Sequence, residues 1–140
     1  MKPKVILVMG LPGAGKTTLS KILKKNLNAK YLNADEVRKK FNDWDFSIPG
    51  RERQAKRMKK LAQEYVSNGK TVIADFICPT LKTRSDFNAD FVIFMDTIEA
   101  GRYDDTNKLF EKPKNYDFLV TEKNAEFYSK QIILKLNANK

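Results

Sequence analysis

Apolar residues in this chain fall in short unbroken runs, and helical periods separate the runs. Val5–Met9, Thr71–Ala74 and Phe91–Met95 show no polar alternation, which is how strands read when both faces are buried in a parallel sheet. Tyr31–Asn33 and Phe118–Val120 are two shorter runs, making five candidate strands. Leu19, Ile22, Leu23 and Leu27 share one face of a helix expected from Lys16 to Leu27. Ala55, Met58, Leu61, Ala62, Tyr65 and Val66 mark a longer helix that stops at Asn68-Gly69. A last helix is expected over Glu122 to Leu136, with Ala125, Tyr128, Ile132 and Leu136 inward. Strands alternating with helices imply right-handed crossovers. The pattern predicts an α/β, three-layer domain: a five-stranded, mostly parallel sheet with helices on both faces. Asp96 to Asp117 keeps no period and is rich in charge, so it reads as a long surface loop or a lid.

In such a sheet, ligands bind beyond the carboxyl ends of the strands. Behind the first strand stand Gly10, Leu11, Pro12, Gly13, Ala14, Gly15, Lys16 and Thr17, then Thr18. This is the pattern G-x-x-x-x-G-K-[ST], a loop whose backbone N–H groups turn inward onto phosphate oxygens. Lys16 reaches the β- and γ-phosphates, the Thr17 hydroxyl can ligate Mg²⁺, and the helix start adds its positive dipole end. A nucleoside triphosphate is the ligand this predicts.

The other strand ends carry charge. Asn33-Ala34-Asp35-Glu36-Val37-Arg38 follows the second, Asp75-Phe76-Ile77-Cys78-Pro79 the third, and Asp96-Thr97 the fourth. Phosphoryl transfer needs positioning, charge neutralisation and a carboxylate to orient or deprotonate the nucleophile. Asp35 is the carboxylate expected at Mg²⁺ or at an incoming hydroxyl; capping a helix is its plainer role. Asp75 is a second candidate acid, with a satisfied turn as the alternative, and Asp96 reads as a turn or cap residue. Arg38, Arg51 and Arg84 are candidate clamps for an anionic substrate. Phe46 offers a ring for a nucleobase or a piece of core, and Trp44 is equally ambiguous.

Bulk composition narrows the setting. A chain of 140 residues holds one domain, 1–140. Its 27 Lys and Arg against 17 Asp and Glu give a formal charge of +10, which attracts anions. With Cys78 as the single cysteine, no intrachain disulfide and no zinc cluster is expected, and a cytoplasmic setting follows. The apolar run at residues 5–9 is too short for a membrane span or a signal core. Histidine is absent, so a proton acceptor must be Asp, Glu or Lys.

From residue 5 to about residue 84 the chain resembles the adenylyl-sulfate kinases of the phosphate-loop kinase group. Gly10–Thr18 resembles their phosphate loop, and Asn33-Ala34-Asp35-Glu36-Val37-Arg38 is similar to their Asp-Gly-Asp-Asn-Val-Arg element. Phe46-Ser47 with Arg51 matches their Phe-Ser-x-x-Asp-Arg stretch, and Cys78-Pro79 stands at their Ser-Pro. The resemblance implies a phosphate-loop kinase fold, with Lys16 and Asp35 catalytic and Thr17 and Asp35 at Mg²⁺. It implies that Asp35 serves the γ-phosphate and a 3′-hydroxyl, that Phe46 stacks the acceptor's adenine, and that Arg38 and Arg51 hold adenylyl sulfate. Gln54, Asp75, Ile77, Cys78 and Arg84 complete the expected acceptor-binding set. The departures are Asn33 for an aspartate, Gln54 for an asparagine, Cys78 for a serine, and a shorter Gly101–Pro113 segment in place of a basic lid.

The implied reaction transfers the ATP γ-phosphate to the 3′-hydroxyl of adenylyl sulfate, with Mg²⁺. The partners are then ATP and a small anionic nucleotide-like substrate, and a homodimer is allowed. A polynucleotide 5′-hydroxyl kinase is the next reading, since phage-type members resemble the loop, the Asn-x-Asp-Asp/Glu-x-Arg element and an Asp after strand three. Another small-metabolite kinase, or an ATP-sensing module without turnover, also stays open.

Overall fold

The computed structural model describes residues 2–138. Five strands form one sheet: β1 (Val5–Met9), β2 (Lys30–Asn33), β3 (Val72–Asp75), β4 (Phe91–Met95) and β5 (Phe118–Val120). Their order is β2-β3-β1-β4-β5, and every pairing is parallel. Six helices connect and cover them: α1 (Lys16–Leu27), α2 (Ala34–Phe41), α3 (Ile48–Ser67), α4 (Leu81–Phe87), α5 (Asp104–Leu109) and α6 (Ala125–Ala138). The expected three-layer α/β architecture is present, with all five expected strands.

The unbroken run of β1 explains why both faces are covered. Val5, Leu7 and Met9 enter one buried cluster with Met58 and Ala62 of α3 and Phe87 of α4. Ile6 and Val8 point the other way, into a cluster with Leu19 and Leu23 of α1 and Ile132 and Leu136 of α6. Successive side chains on a strand alternate faces, so one apolar run feeds two cores. Full burial of a Leu, Ile or Phe side chain stabilises by roughly 1.5–3 kcal/mol, and many of these residues show no exposed area at all.

Local signals fix the helix ends next to the site. Asn33 accepts a 3.0 Å bond from the Glu36 N–H and so caps α2, worth about 1 kcal/mol. Ser47 caps α3, with Pro49 in the first turn. That helix begins seven positions before Ala55, the first residue of its apolar stripe. Gly50 is required there by a close approach, because a Cβ would lie 2.3 Å from the Asp45 carbonyl oxygen. The Asp96–Asp117 segment is more than a surface loop: it carries α5, and its Thr106 is buried.

Candidate active site

The carboxyl ends of β1, β2 and β3 open into one cleft of about 630 Å³. Pro12, Gly13, Lys16 and Thr17 line it at the phosphate loop, with Asn33 and the Asp75–Pro79 turn beside them and Ala34 and Asp35 at the start of α2. Arg38, Trp44, Phe46, Arg51 and Gln54 form the far side. Arg102, Tyr103, Asp105 and Thr106 close the remaining wall.

The loop behind β1 has the backbone that phosphate binding requires. Gly15 caps α1 in the left-handed region at φ 97°, a conformation costly for any residue with a Cβ. Gly10 packs against β4 so closely that a Cβ would lie 2.7 Å from the Met95 carbonyl oxygen. Leu11 accepts a bond from the Ala14 N–H at 3.1 Å, closing the turn. The Lys16 ammonium bonds the same Leu11 carbonyl at 3.0 Å. Burial pushes its pKa below the usual lysine value; the Asp75 and Asp35 carboxylates oppose that, and the Arg102 cation adds to it. Gly15 and Thr18 instead border a smaller hollow of about 130 Å³ with Glu122, Lys123 and Asn124.

Asp75 is held from three directions. Its Oδ2 accepts from the Thr17 hydroxyl at 2.9 Å, the Tyr31 hydroxyl at 2.6 Å and the Asn33 amide at 3.3 Å. The Asn33 amide also donates to the Tyr31 oxygen at 3.1 Å. Burial, and next the bond to Asp75, push the Tyr31 phenol up to about 12. Asp35 is different: it sits in the first turn of α2, exposed on the cleft rim.

On the far side, Phe46 is 44% exposed and Trp44 52%, so neither ring belongs to the core. The Arg38 guanidinium lies 4.2 Å from the Phe46 ring centroid and that of Arg51 5.4 Å away. Both arginines are backed by fixed acceptors. Arg38 donates to the carbonyls of Asp43 and Asp45 at 2.9 and 3.1 Å. Arg51 donates to the Phe46 carbonyl at 2.9 Å and to Thr106 Oγ1 at 3.0 Å. Gln54 holds Ala34 by its carbonyl at 3.0 Å and accepts from Arg57 at 2.9 Å. Cys78 is buried with φ 48°, and burial pushes its thiol up to about 12.

Arg84 stands apart from the other expected clamps. It does not line the cleft; it donates to the carbonyls of Cys78 at 3.0 Å, Pro79 at 3.2 Å and Glu111. That use ties the turn after β3 to the loop after α5. The sequence reading passed over Tyr31, Arg102 and Thr106. Tyr31 had a faint signal, since it stands two positions before Asn33 and therefore on the same face of β2. Arg102 and Thr106 had none, because Gly101 and Asn107 place them by reciprocal bonds of 2.8 and 2.9 Å.

The sequence profile of the adenylylsulphate kinases matches residues 2–120. The chain belongs to that family. An adenylyl-sulfate kinase of Shewanella sp. (strain ANA-3) is 33% identical over 95 residues, which is 64% of this chain and 46% of that protein. One of Burkholderia ambifaria is 35% identical over 100 residues, 65% of this chain and 55% of the relative. The chain therefore spans about half the length of the curated relatives it matches. Among solved structures, the Mycobacterium tuberculosis APS kinase CysC in complex with AMPPNP and APS superposes with a TM-score of 0.81 at 21% identity, covering 97% of this chain and 98% of that one. Shikimate kinase from Aquifex aeolicus gives 0.69 at 19% identity, covering 96% and 97%. The family's phosphate-loop kinase fold is thus the fold of this chain. Among the described residues, no helix is long and apolar enough to cross a membrane.

Proposed function

We propose that this chain is an ATP-dependent kinase that phosphorylates a hydroxyl of a small anionic nucleotide-like acceptor, with the 3′-hydroxyl of adenylyl sulfate as the favoured target. One observation carries the reading: Lys16 and Thr17 of the phosphate loop share a single cleft with Asp35 and with the Arg38–Phe46–Arg51 wall. One side of the cleft suits a triphosphate, and the other suits a base with an anionic group. Residues Gly10 to Thr18 would cradle the nucleotide. Phe46 would stack the acceptor's base, and Arg38 and Arg51 would meet its anionic group.

The residues also fit a magnesium ion. The Thr17 hydroxyl, next to a carboxylate, is a hard oxygen donor of the kind Mg²⁺ takes alongside phosphate oxygens and water. When bound, the ion neutralises charge on the phosphates. Lys16 stabilises negative charge on the transferring group, an interaction strengthened in a partly desolvated cleft. Asp35 receives the acceptor's proton as the new oxygen–phosphorus bond forms and the bond to the β-phosphate oxygen breaks. ADP and the phosphorylated acceptor leave, and Asp35 returns its proton to water.

The test mixes the protein with ATP and Mg²⁺ and follows ADP release with and without adenylyl sulfate. Stimulated release, with phosphate recovered on the acceptor's 3′-oxygen, is the expected result. Stimulation by another small hydroxyl compound alone would move the acceptor while keeping the kinase. No stimulation by any hydroxyl acceptor would leave only nucleotide binding.

A further inference from the structure

Gln54 stands on the cleft wall, and the family resemblance places it among the acceptor-binding residues. We infer that Gln54 is instead a positioning residue, which holds the backbone of Asp35 by gripping the Ala34 carbonyl at the start of α2. The inference rests on the kinase reading proposed above, with Asp35 as proton acceptor, and goes further by naming what aims that carboxylate.

Both ends of the Gln54 amide are taken. The residue is 3% exposed although it lines the cleft. Its Nε2 donates to the Ala34 carbonyl at 3.0 Å, and its Oε1 accepts from the Arg57 guanidinium at 2.9 Å. The neighbours fix which end is which. A guanidinium can only donate and a carbonyl can only accept, so turning the amide over would break both bonds. Arg57 is itself fixed, by Asp43 at 2.9 Å and by the Phe41 ring, whose centroid lies 4.6 Å from the guanidinium carbon. Phe41 is the last residue of α2 and Ala34 the first. Gln54 and Arg57 stand three positions apart on α3, on one face of that helix, and hold the two ends of α2.

The grip at Ala34 matters because of what a peptide plane contains. The Ala34 carbonyl oxygen and the Asp35 Cα belong to one rigid unit. The next unit joins Asp35 to Glu36, and its N–H donates to Asn33 Oδ1 at 3.0 Å. A side-chain amide thus holds the plane on each side of the Asp35 Cα. Asp35 is exposed, so packing does not aim its carboxylate; the backbone does. Without Gln54 the first turn of α2 keeps its cap but loses this bond to α3. A base must lie within hydrogen-bond reach of the proton it takes. A shift of about an ångström in such a group costs up to about 10²-fold in rate.

Side-chain length explains why a glutamine serves here. From the same backbone, an asparagine would draw the amide back by about 1.5 Å, taking both bonds out of range.

The test compares the parent with two variants. Gln54→Met keeps the length and removes both bonds, whereas Gln54→Glu still accepts from Arg57 but has no proton for Ala34. A melting curve accompanies each, and Gln54→Glu carries the test if Gln54→Met fails to fold. Steady-state kinetics use ATP, Mg²⁺ and adenylyl sulfate. Both variants are expected to lose roughly 10–100-fold in kcat, with the acceptor KM within about twofold of the parent. The same substitutions made on Asp35→Asn are expected to cost under about threefold, because a group that acts through Asp35 then has nothing left to aim. Hydrogen exchange supplies a readout that needs no turnover. The amides of α2 are expected to exchange roughly fivefold faster in both variants, the scale of one lost hydrogen bond, with those of α1 unchanged. An acceptor KM that rises at constant kcat, a full loss of rate on the Asp35→Asn background, or parent-like exchange in α2 would overturn the inference. A parent that phosphorylates no hydroxyl compound would sink the kinase reading alone, and exchange in α2 would then decide whether Gln54 holds this backbone.

Discussion

Asp35 and Asp75 occupy one cleft under opposite conditions, and the contrast bears on chemistry. Asp75 is buried under three donors, whereas Asp35 is exposed in the first turn of α2 and lines the same cleft as Arg38, Phe46 and Arg51. A group that takes a proton from an incoming hydroxyl must have a free oxygen edge and room for the substrate. Only Asp35 has both. Asp35→Asn keeps the shape and removes the base, so kcat should fall by about 10²–10⁴-fold, the scale for a lost acid–base group. Nucleotide affinity should be unchanged, because the phosphate loop and Thr17 are untouched. Steady-state kinetics with nucleotide binding measured in parallel makes the check. A kcat within a few-fold of the parent would remove Asp35 from proton transfer.

Among the elements, the α2–α3 connection does the most to shape the wall of Arg38, Phe46 and Arg51, and its acids make that shape depend on pH. Asp43 bonds Arg53 at 2.8 Å and Arg57 at 2.9 Å. Asp45 accepts from the Ser47 N–H at 3.0 Å and from Arg53 at 3.1 Å. These bonds hold Asp43 well below the ordinary carboxylate range. Asp45 is lowered from 3.8 to about 2, by the Ser47 bonds first and Arg53 next. A lowered native pKa means the unfolded chain takes up protons first as the medium is acidified. The stabilisation is complete above the unfolded value and disappears as pH falls toward the native one. Melting temperature should therefore drop between about pH 4 and pH 2, and Asp45→Asn should flatten part of that slope. A slope unaltered in Asp45→Asn, or a melting temperature that rises on acidification, would refute the assignment.

The same elements show what the sequence could reveal. The strands and α1 were readable because burial on both faces, or along one stripe, writes itself into apolar positions. The start of α3 was missed because Ser47 and Pro49 act through backbone geometry, and its first turn lies outside the apolar stripe. The helices α4 and α5 have seven and six residues, too few to establish a period. The phosphate loop was readable because its chemistry is carried by consecutive residues. Arg84 was not: its three carbonyl partners come from two loops brought together only by folding.

On the scale of the molecule, the formal charge of +10 acts at distances no hydrogen bond reaches. Lys16, Arg38, Arg51 and Arg102 line the cleft, against Asp35, Asp75 and Asp105, so the local balance is positive as well. An anionic acceptor should be drawn in from beyond contact, raising its rate of encounter. Salt weakens this attraction, because the screening length falls from about 30 Å at 0.01 M ionic strength to about 8 Å at 0.15 M. Contacts made after docking are shielded from solvent and change much less. The two stages separate in kinetics: kcat/KM reports encounter and capture, and kcat reports the bound complex. With MgATP saturating, raising ionic strength from about 0.01 to 0.15 M should lower kcat/KM for the anionic acceptor by roughly tenfold, with kcat nearly constant. A phosphoryl acceptor of similar size but no charge should show little of this dependence. Equal salt effects on charged and neutral acceptors, or an effect carried by kcat, would mean that the molecule's charge has no part in gathering its substrate.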